Sequence, residues 1–245
     1  MNLEPARARM RRRFGPEAHA WMDALPARIA DLARRWALTP GEPYPTGNSS
    51  VAIRCGDVVL KLSPQVDFLA EQARVLRMYE PSGRVPRVFQ HEDGAMVMEI
   101  IEPGTFVTEV PPPEEFAALM TDLHAVGDPA VAERDMLAYT EEFFDRMESR
   151  GVDIGSSRQL RDELVATQDD VVLLHGDLHF HNILVGPRGL MVIDPKACAG
   201  DRAFDAIDYA MAAPDRVKEL AKAANLDAER IAAWRRMLHW VDSPL

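Results

Sequence analysis

The stretch Val171 to Lys196, VVLLHGDLHFHNILVGPRGLMVIDPK, constrains the fold of this chain more than any other. Val171 to Leu174 is a continuous apolar run bounded by His175 and Gly176, and Leu190 to Ile193 is a second that stops at Asp194. Runs so short and so apolar predict buried strands. The stretch therefore reads as strand, loop, short strand, turn and strand, ending in an acid followed at once by Pro195. The chemistry lies between the strands.

Asp177 and Asn182 have the Asp and Asn spacing of the protein-kinase catalytic loop, and Asp194 follows one short hairpin later. Phosphoryl transfer is mainly a matter of position and charge: one carboxylate accepts or orients the attacking hydroxyl, and oxygen ligands hold Mg2+ against the phosphates. Asp177 suits the first role. Asn182 and Asp194 suit the second, because Mg2+ prefers hard oxygen ligands and shares its shell with water and substrate phosphates. A zinc site built from His175, Asp177, His179 and His181 is the competing reading, since His and Asp both serve that metal. Neither the His-x-x-x-His spacing nor the later Ile-Asp-Pro is a standard zinc-protease arrangement, and His175 reads as a packed, hydrogen-bonded loop residue.

HGDLHFHN followed by IDP resembles the active-site signature of the aminoglycoside phosphotransferases, small-molecule kinases with a protein-kinase-like fold. The longer string IDPKACAGDRAFD, with Gly200, Asp201, Phe204 and Asp205, is similar to the branch containing the streptomycin and hydroxyurea kinases. The likeness runs from about Trp21 to Trp240. It implies a bilobal α+β fold, with a small antiparallel-sheet lobe over residues 1–103 and a larger, mainly helical lobe over residues 104–245. It also implies ATP, with GTP as the alternative nucleotide, and Mg2+. Family members carry a longer insertion before the catalytic loop, and that insertion helps to build the acceptor site.

The balance of charge bears on partners. The formal net charge is -11, which argues against nucleic acid, whose binding relies on basic surface. No apolar run approaches the length of a membrane span. Two cysteines, Cys55 and Cys198, exclude a disulfide framework and fit a reducing compartment. The basic N-terminal cluster, Arg7, Arg9 and Arg11 to Arg13, lacks the apolar core of a secretory signal, so a cytoplasmic protein is expected. The oligomeric state is left open. The acids concentrate after residue 104, where Glu141, Glu142, Asp145, Asp201, Asp205 and Asp208 could border a cleft and attract a cationic acceptor. Solubility explains the same surplus, and Asp201 and Asp205 could instead cap and brace the segment after Asp194.

Earlier in the chain, Trp21, Leu25, Ile29, Leu32 and Trp36 recur at helical spacing over Ala18 to Trp36, with Pro26 as a break or kink. Val51 to Arg54 and Val58 to Leu62 predict a hairpin. In a kinase-like lobe the preceding turn would cover the phosphates, with backbone N–H groups of Gly47, Asn48, Ser49 and Ser50 aimed at them; alone, TGNSS is an ordinary turn. Lys61 lies mid-strand and needs an anionic partner if buried. By resemblance it is the phosphate-binding lysine, with Glu71 as its helix partner on a helix over Val66 to Tyr79 whose inward face holds Phe68, Val75 and Met78. An edge lysine limiting aggregation is the other reading. Two further strands, Pro86 to His91 and Ala95 to Ile100, lead into a hinge at Met98 to Glu102, whose backbone at Met98, Glu99 and Ile101 would pair with the adenine. Helices are predicted from Glu114 to near Gly127, over Arg134 to Ser149 and Arg158 to Ala166, and, after Asp194, over Asp201 to Met211, Asp215 to Ala224 and Asp227 to Trp240.

The activity expected is phosphorylation of a hydroxyl on a small-molecule antibiotic, of the streptomycin type by resemblance. A metabolite kinase acting on an amino alcohol or sugar is the alternative on the same fold. A catalytically dead nucleotide-binding protein would have lost Lys61, Asp177, Asn182 or Asp194, and all four are present.

Overall fold

A computed structural model describes residues 1–47 and 49–238. Asn48 and the end of the last expected helix, toward Trp240, therefore lie outside the described residues. Two units divide the chain, one made of Met1–Ala73 with Pro86–Ile100 and the other of Arg74–Val85 with Ile101–Leu245.

The first unit is a four-stranded antiparallel sheet in the order β1-β2-β4-β3, with β1 Val51–Cys55, β2 Val58–Leu62, β3 Val88–Glu92 and β4 Ala95–Glu99. Alternation along the strands sends Val51, Ile53, Leu60, Leu62, Ala95 and Val97 to one face, where helices α1 Glu4–Phe14 and α2 Ala18–Arg35 cover them with Ala6, Met10, Met22, Leu25, Ile29 and Leu32. Trp21 and Trp36, expected inside, sit half-buried at the rim. Pro26 does not break α2. Its missing N–H releases the carbonyl of Met22, toward which the Arg7 guanidinium of α1 donates across 3.5 Å. Helix α1 was not foreseen in a segment as basic as RARMRRR.

Where a kinase-like lobe has a first strand, this chain has only a fragment. Gly41 and Tyr44 donate to Arg54 and Ala52 at 2.8 Å, and Pro43 makes a single bridge to Ile53. Pro40, Pro43 and Pro45 lack the N–H groups a ladder needs. Lys61 consequently stands on the second described strand. Helix α3, Val66–Tyr79, also differs from expectation in its inward face: Leu69, Gln72, Ala73, Val75, Leu76 and Tyr79 are buried, whereas Phe68 and Met78 are half-exposed.

The second unit is mainly helical, with α4 Pro113–Val126, α5 Met136–Glu148, α6 Gly155–Ala166, α7 Ile207–Ala212, α8 Val217–Ala224 and α9 Ala228–Met237 around Phe116, Tyr139, Phe144, Tyr209 and Trp234. Two small antiparallel sheets stand among them. One joins β5 Thr105–Phe106 to β7 Ile183–Gly186 and β8 Gly189–Val192; the other pairs β6 Val171–Leu174 with β9 Cys198–Asp201. A helix over Asp201 to Met211 does not form. The segment ends β9 at Asp201, makes a 3-10 turn over Arg202–Ala206, and is α-helical only from Ile207. Asp201 and Asp205 explain the delay, since both carboxylates are committed to other partners.

Candidate active site

The hairpin that carries Asp177 and Asn182 is held from behind by one buried acid. Asp205 accepts the backbone N–H of His175 and of Gly176, each at 2.9 Å, and the His124 Nε2 of α4 at 2.9 Å. Burial alone would raise its carboxyl, but the His124 hydrogen bond and charge, then His175 and the Gly176 N–H, hold it below the ordinary carboxylate range. The remaining backbone groups here are also engaged: Lys196 donates its N–H to His175 O at 2.9 Å, and the Tyr139 hydroxyl donates to Gly176 O. Gly176 has φ +77, and a Cβ there would collide with the Lys196 carbonyl, so only glycine fits.

His175 is the packed loop residue anticipated. Its Nε2 donates to Ile193 O at 3.0 Å and its Nδ1 accepts the Asp177 N–H at 3.3 Å, a pattern that specifies one neutral tautomer. Complete burial lowers its basicity in the same direction. Both ring nitrogens are engaged, so His175 has none to give a zinc ion.

Asp177, Asn182 and Asp194 follow from this frame. The Asn182 side-chain amide donates to Asp177 O at 2.8 Å and to Asp177 Oδ2 at 3.2 Å, which leaves Asn182 Oδ1 as the oxygen directed elsewhere. Asn182 is buried, and its carbonyl accepts the Ile193 N–H at 3.0 Å, which ties it to the residue before Asp194. Asp194 itself has φ +59, a left-handed conformation uncommon outside glycine and a form of strain found at functional sites. The side chain of Asp177 is 44% exposed, with His179 Nε2 at 3.6 Å from its Oδ2. An amide oxygen and a carboxylate linked in this way are hard donors of the kind Mg2+ takes, with water and phosphate completing the shell.

Asp208, in the first turn of α7, carries a carboxyl pushed up to about 6 by burial; His179 lowers it, and the charges of Asp177 and Asp205 raise it. Of the other acids foreseen at a cleft mouth, Asp145 is exposed, with Arg158 at 3.8 Å, and the rest are committed. Glu141 binds Arg158 at 2.5 Å and Arg161 at 2.7 Å, and Glu142 binds Lys196 at 2.9 Å and Arg134 at 3.1 Å. Asp201 accepts from Ala203 N at 3.0 Å, from Trp234 Nε1 at 2.6 Å and from Arg230. For Asp201 and Asp205 the bracing role is the one observed.

In the first unit, Lys61 is buried between β1 and β4, which rules out the edge-strand reading. It faces away from the core under α1 and α2, and its Nζ donates to Gln72 Oε1 of α3 at 2.7 Å. Glu71, the partner expected, is equally buried one position earlier; Gln72 is a partner of Lys61 that the sequence did not single out, because adjacent positions on a helix cannot be separated by spacing alone. Ser50 is buried, and Ser49 O accepts the Ser63 hydroxyl at 2.8 Å. The backbone of Met98 lies inside the ladder between Val59 and Val88, and Glu99 gives its N–H to Arg87 O at 2.8 Å. The sheet thus uses backbone groups that the adenine was expected to meet, because β4 is an interior strand. Ile101, in the second unit, packs with Leu184 and Met191.

Comparison with known proteins agrees with this chemistry. The family model for aminoglycoside/hydroxyurea antibiotic resistance kinases matches residues 35–242. The streptomycin 6-kinase of Streptomyces glaucescens is 29% identical over 222 residues, covering 82% of this chain and 72% of that protein. The hydroxyurea phosphotransferase of Kitasatospora aureofaciens is 27% identical over 255 residues, covering 90% and 72%. Among solved structures, a choline/ethanolamine kinase family protein from Mesorhizobium loti superposes with a TM-score of 0.68 at 18% identity, covering 88% of this chain and 81% of that one, which shows the kinase-like α+β fold. This chain belongs to the aminoglycoside/hydroxyurea antibiotic resistance kinase family and is a small-molecule phosphotransferase.

Proposed function

We propose that the protein transfers the terminal phosphoryl group of ATP, with GTP as the alternative donor, to a hydroxyl of a cationic antibiotic of the streptomycin type, inactivating it in the cytoplasm. The observation that carries this reading is Asp177, Asn182 and Asp194 on one hydrogen-bonded hairpin, with Asp177 half-exposed and the loop before it held by Asp205. Preorganised positioning is what phosphoryl transfer demands of a protein.

Asp177 accepts the hydrogen bond of the acceptor hydroxyl and takes its proton as the oxygen attacks phosphorus. Asn182 Oδ1 and the Asp194 carboxylate hold Mg2+, which when bound offsets charge on the phosphates. Lys61 meets the phosphates, with Gln72 or Glu71 orienting its ammonium, and the backbone of Gly47, Ser49 and Ser50 covers them. With Met98 and Glu99 engaged in the sheet, recognition of the base falls to the backbone at Ile101 and its neighbours. The streptomycin kinases among the relatives support the acceptor class. Asp208, beside Asp177, supports a cationic one, while the paired state of Glu141 and Glu142 removes them from that role. No described helix is long and apolar enough to cross a membrane.

The test is nucleoside diphosphate release from ATP and from GTP against streptomycin, hydroxyurea and an amino alcohol. Release with streptomycin that disappears in Asp177→Asn is expected. Release with the amino alcohol alone would replace the acceptor and keep the reaction.

A further inference from the structure

Arg9 projects from α1, outside the stretch the family model matches, onto the turn that precedes β1. Its Nε donates to Gly47 O at 2.9 Å, and its Nη2 donates to Tyr44 O at 3.3 Å and to Thr46 O at 3.2 Å. Ala6 and Met10, both buried in the core under the sheet, fix the helix on either side of it. A second strap lies at the start of the same segment, where Glu42 Oε2 accepts the Asn2 N–H at 2.8 Å. Pairing with β1 ends at Tyr44, so Arg9 takes hold where the ladder lets go.

A peptide unit is planar, and its C=O and the following N–H point in opposite directions. With Thr46 O drawn to Arg9, the Gly47 N–H is turned away from α1; with Ser49 O held by the Ser63 hydroxyl, the Ser50 N–H is turned away from Ser63. Gly47, at φ +97, supplies the reversal between them. Backbone N–H groups turned outward in this way are donors for anionic oxygen. The guanidinium also polarises the peptides it binds, which strengthens their N–H groups as donors.

We propose that Arg9 is a positioning residue for the phosphates of the nucleotide, holding the turn before β1 by the carbonyls of Tyr44, Thr46 and Gly47 from a helix outside the family-matched stretch. The proposal rests on the reading of that turn as the nucleotide cover. Arg9 touches no substrate; it removes an ordering cost that the turn would otherwise meet on binding.

The test compares four variants of the full chain. Arg9→Ala should raise the KM of the nucleoside triphosphate about tenfold, an effect on the order of 1.4 kcal/mol. Its kcat, its acceptor KM and the inhibition constant of adenosine, which has no phosphates, should stay within about twofold of the parent on that scale. Arg9→Lys keeps charge but loses the fork, and should fall between. Arg7→Ala loosens α1 from Asp23 and Met22 without touching the turn, so it should leave the nucleotide KM unchanged. A rise equal to that of Arg9→Ala would make the effect one of helix docking and overturn the proposal, as would a parallel weakening of adenosine. Lys61→Ala separates the two levels. If it weakens the triphosphate while Arg9→Ala does not, the nucleotide reading stands and the role of Arg9 falls. If neither variant weakens it, the reading of the turn falls and takes the proposal with it.

Discussion

Asp201 and Asp205 are buried behind the hairpin that carries Asp177, and their oxygens are occupied by backbone N–H groups, a tryptophan, a histidine and an arginine. Along α5, Glu141 and Glu142 stand at the surface and are matched by Arg158, Arg161, Arg134 and Lys196. Both regions lie in the acidic half of the chain, yet neither offers a free field to a ligand. The first spends its charge on backbone geometry where low dielectric makes each hydrogen bond strong and each unpaired donor costly. The second is screened, side chain against side chain. Charge counted along a sequence is therefore a poor guide to charge presented by a surface.

Asp177 belongs to neither region, and its removal should have the largest effect. Asp177→Asn preserves shape and loses the proton acceptor, so turnover should fall about 10²- to 10⁴-fold while nucleotide still binds, with stability within about 0.5 kcal/mol of the parent. Asp194→Asn should instead weaken Mg2+-dependent nucleotide binding. Titration calorimetry beside turnover checks the pair, and the opposite assignment of losses would exchange the two roles.

Asp205→Ala should cost about 3–5 kcal/mol in denaturant unfolding, because it strands two backbone donors and His124 in the interior. The sign with pH follows from its lowered carboxyl: the stabilisation is present above the unfolded value and is lost as pH falls through the folded one. The deficit of Asp205→Ala against the parent should therefore shrink in acid. A loss as small as that of a surface acid would end the contrast between the two regions.

The same contrast marks what the sequence could and could not disclose. The strands of the hairpin are legible because short apolar runs have few alternatives, and Asp177, Asn182 and Asp194 stand out by their kinase-like spacing. The helix expected from Asp201 fails because its two acids are drawn to partners over twenty residues away along the chain. The inward face of α3 rotates because Glu71 and Gln72 are buried polar residues, which a hydrophobic pattern cannot weigh. Arg9 left no trace, since its targets are carbonyls, identical in every residue.

Asp208, three positions from Asp205, is shifted the other way, and pH separates them. Its folded value of about 6 exceeds the ordinary 3.8, so the protonated form is favoured by folding. That contribution is fully present below the unfolded value and is lost as pH rises through 6, an upper bound of about 3 kcal/mol over the shift. Asp208→Asn, which does not titrate, should match the parent near pH 4 and exceed it in stability above pH 7. Equal differences at both pH values would leave burial without consequence there.

Glu141→Gln should cost about 1 kcal/mol, part of it lost at high salt, because its pair with Arg158 is exposed while Arg161, its buried partner, keeps Asp162 and Thr140. The smallest effect expected concerns the acceptor itself. With α5 neutralised and Asp201 and Asp205 internal, attraction of a cationic acceptor rests on Asp177 and Asp208 rather than on the whole acidic half. Attraction from so few carboxylates is short in range, and the Debye length falls from about 10 Å at 0.1 M salt to about 3 Å at 1 M. The acceptor KM should accordingly rise only a few-fold across that range, more steeply than the nucleotide KM, and Asp208→Asn should flatten the rise whereas Glu141→Gln should not. A steep rise that survives Asp208→Asn and is abolished by Glu141→Gln would return the acids of α5 to the acceptor site. A good uncharged acceptor with a KM indifferent to salt would leave the acidity as surface solvation.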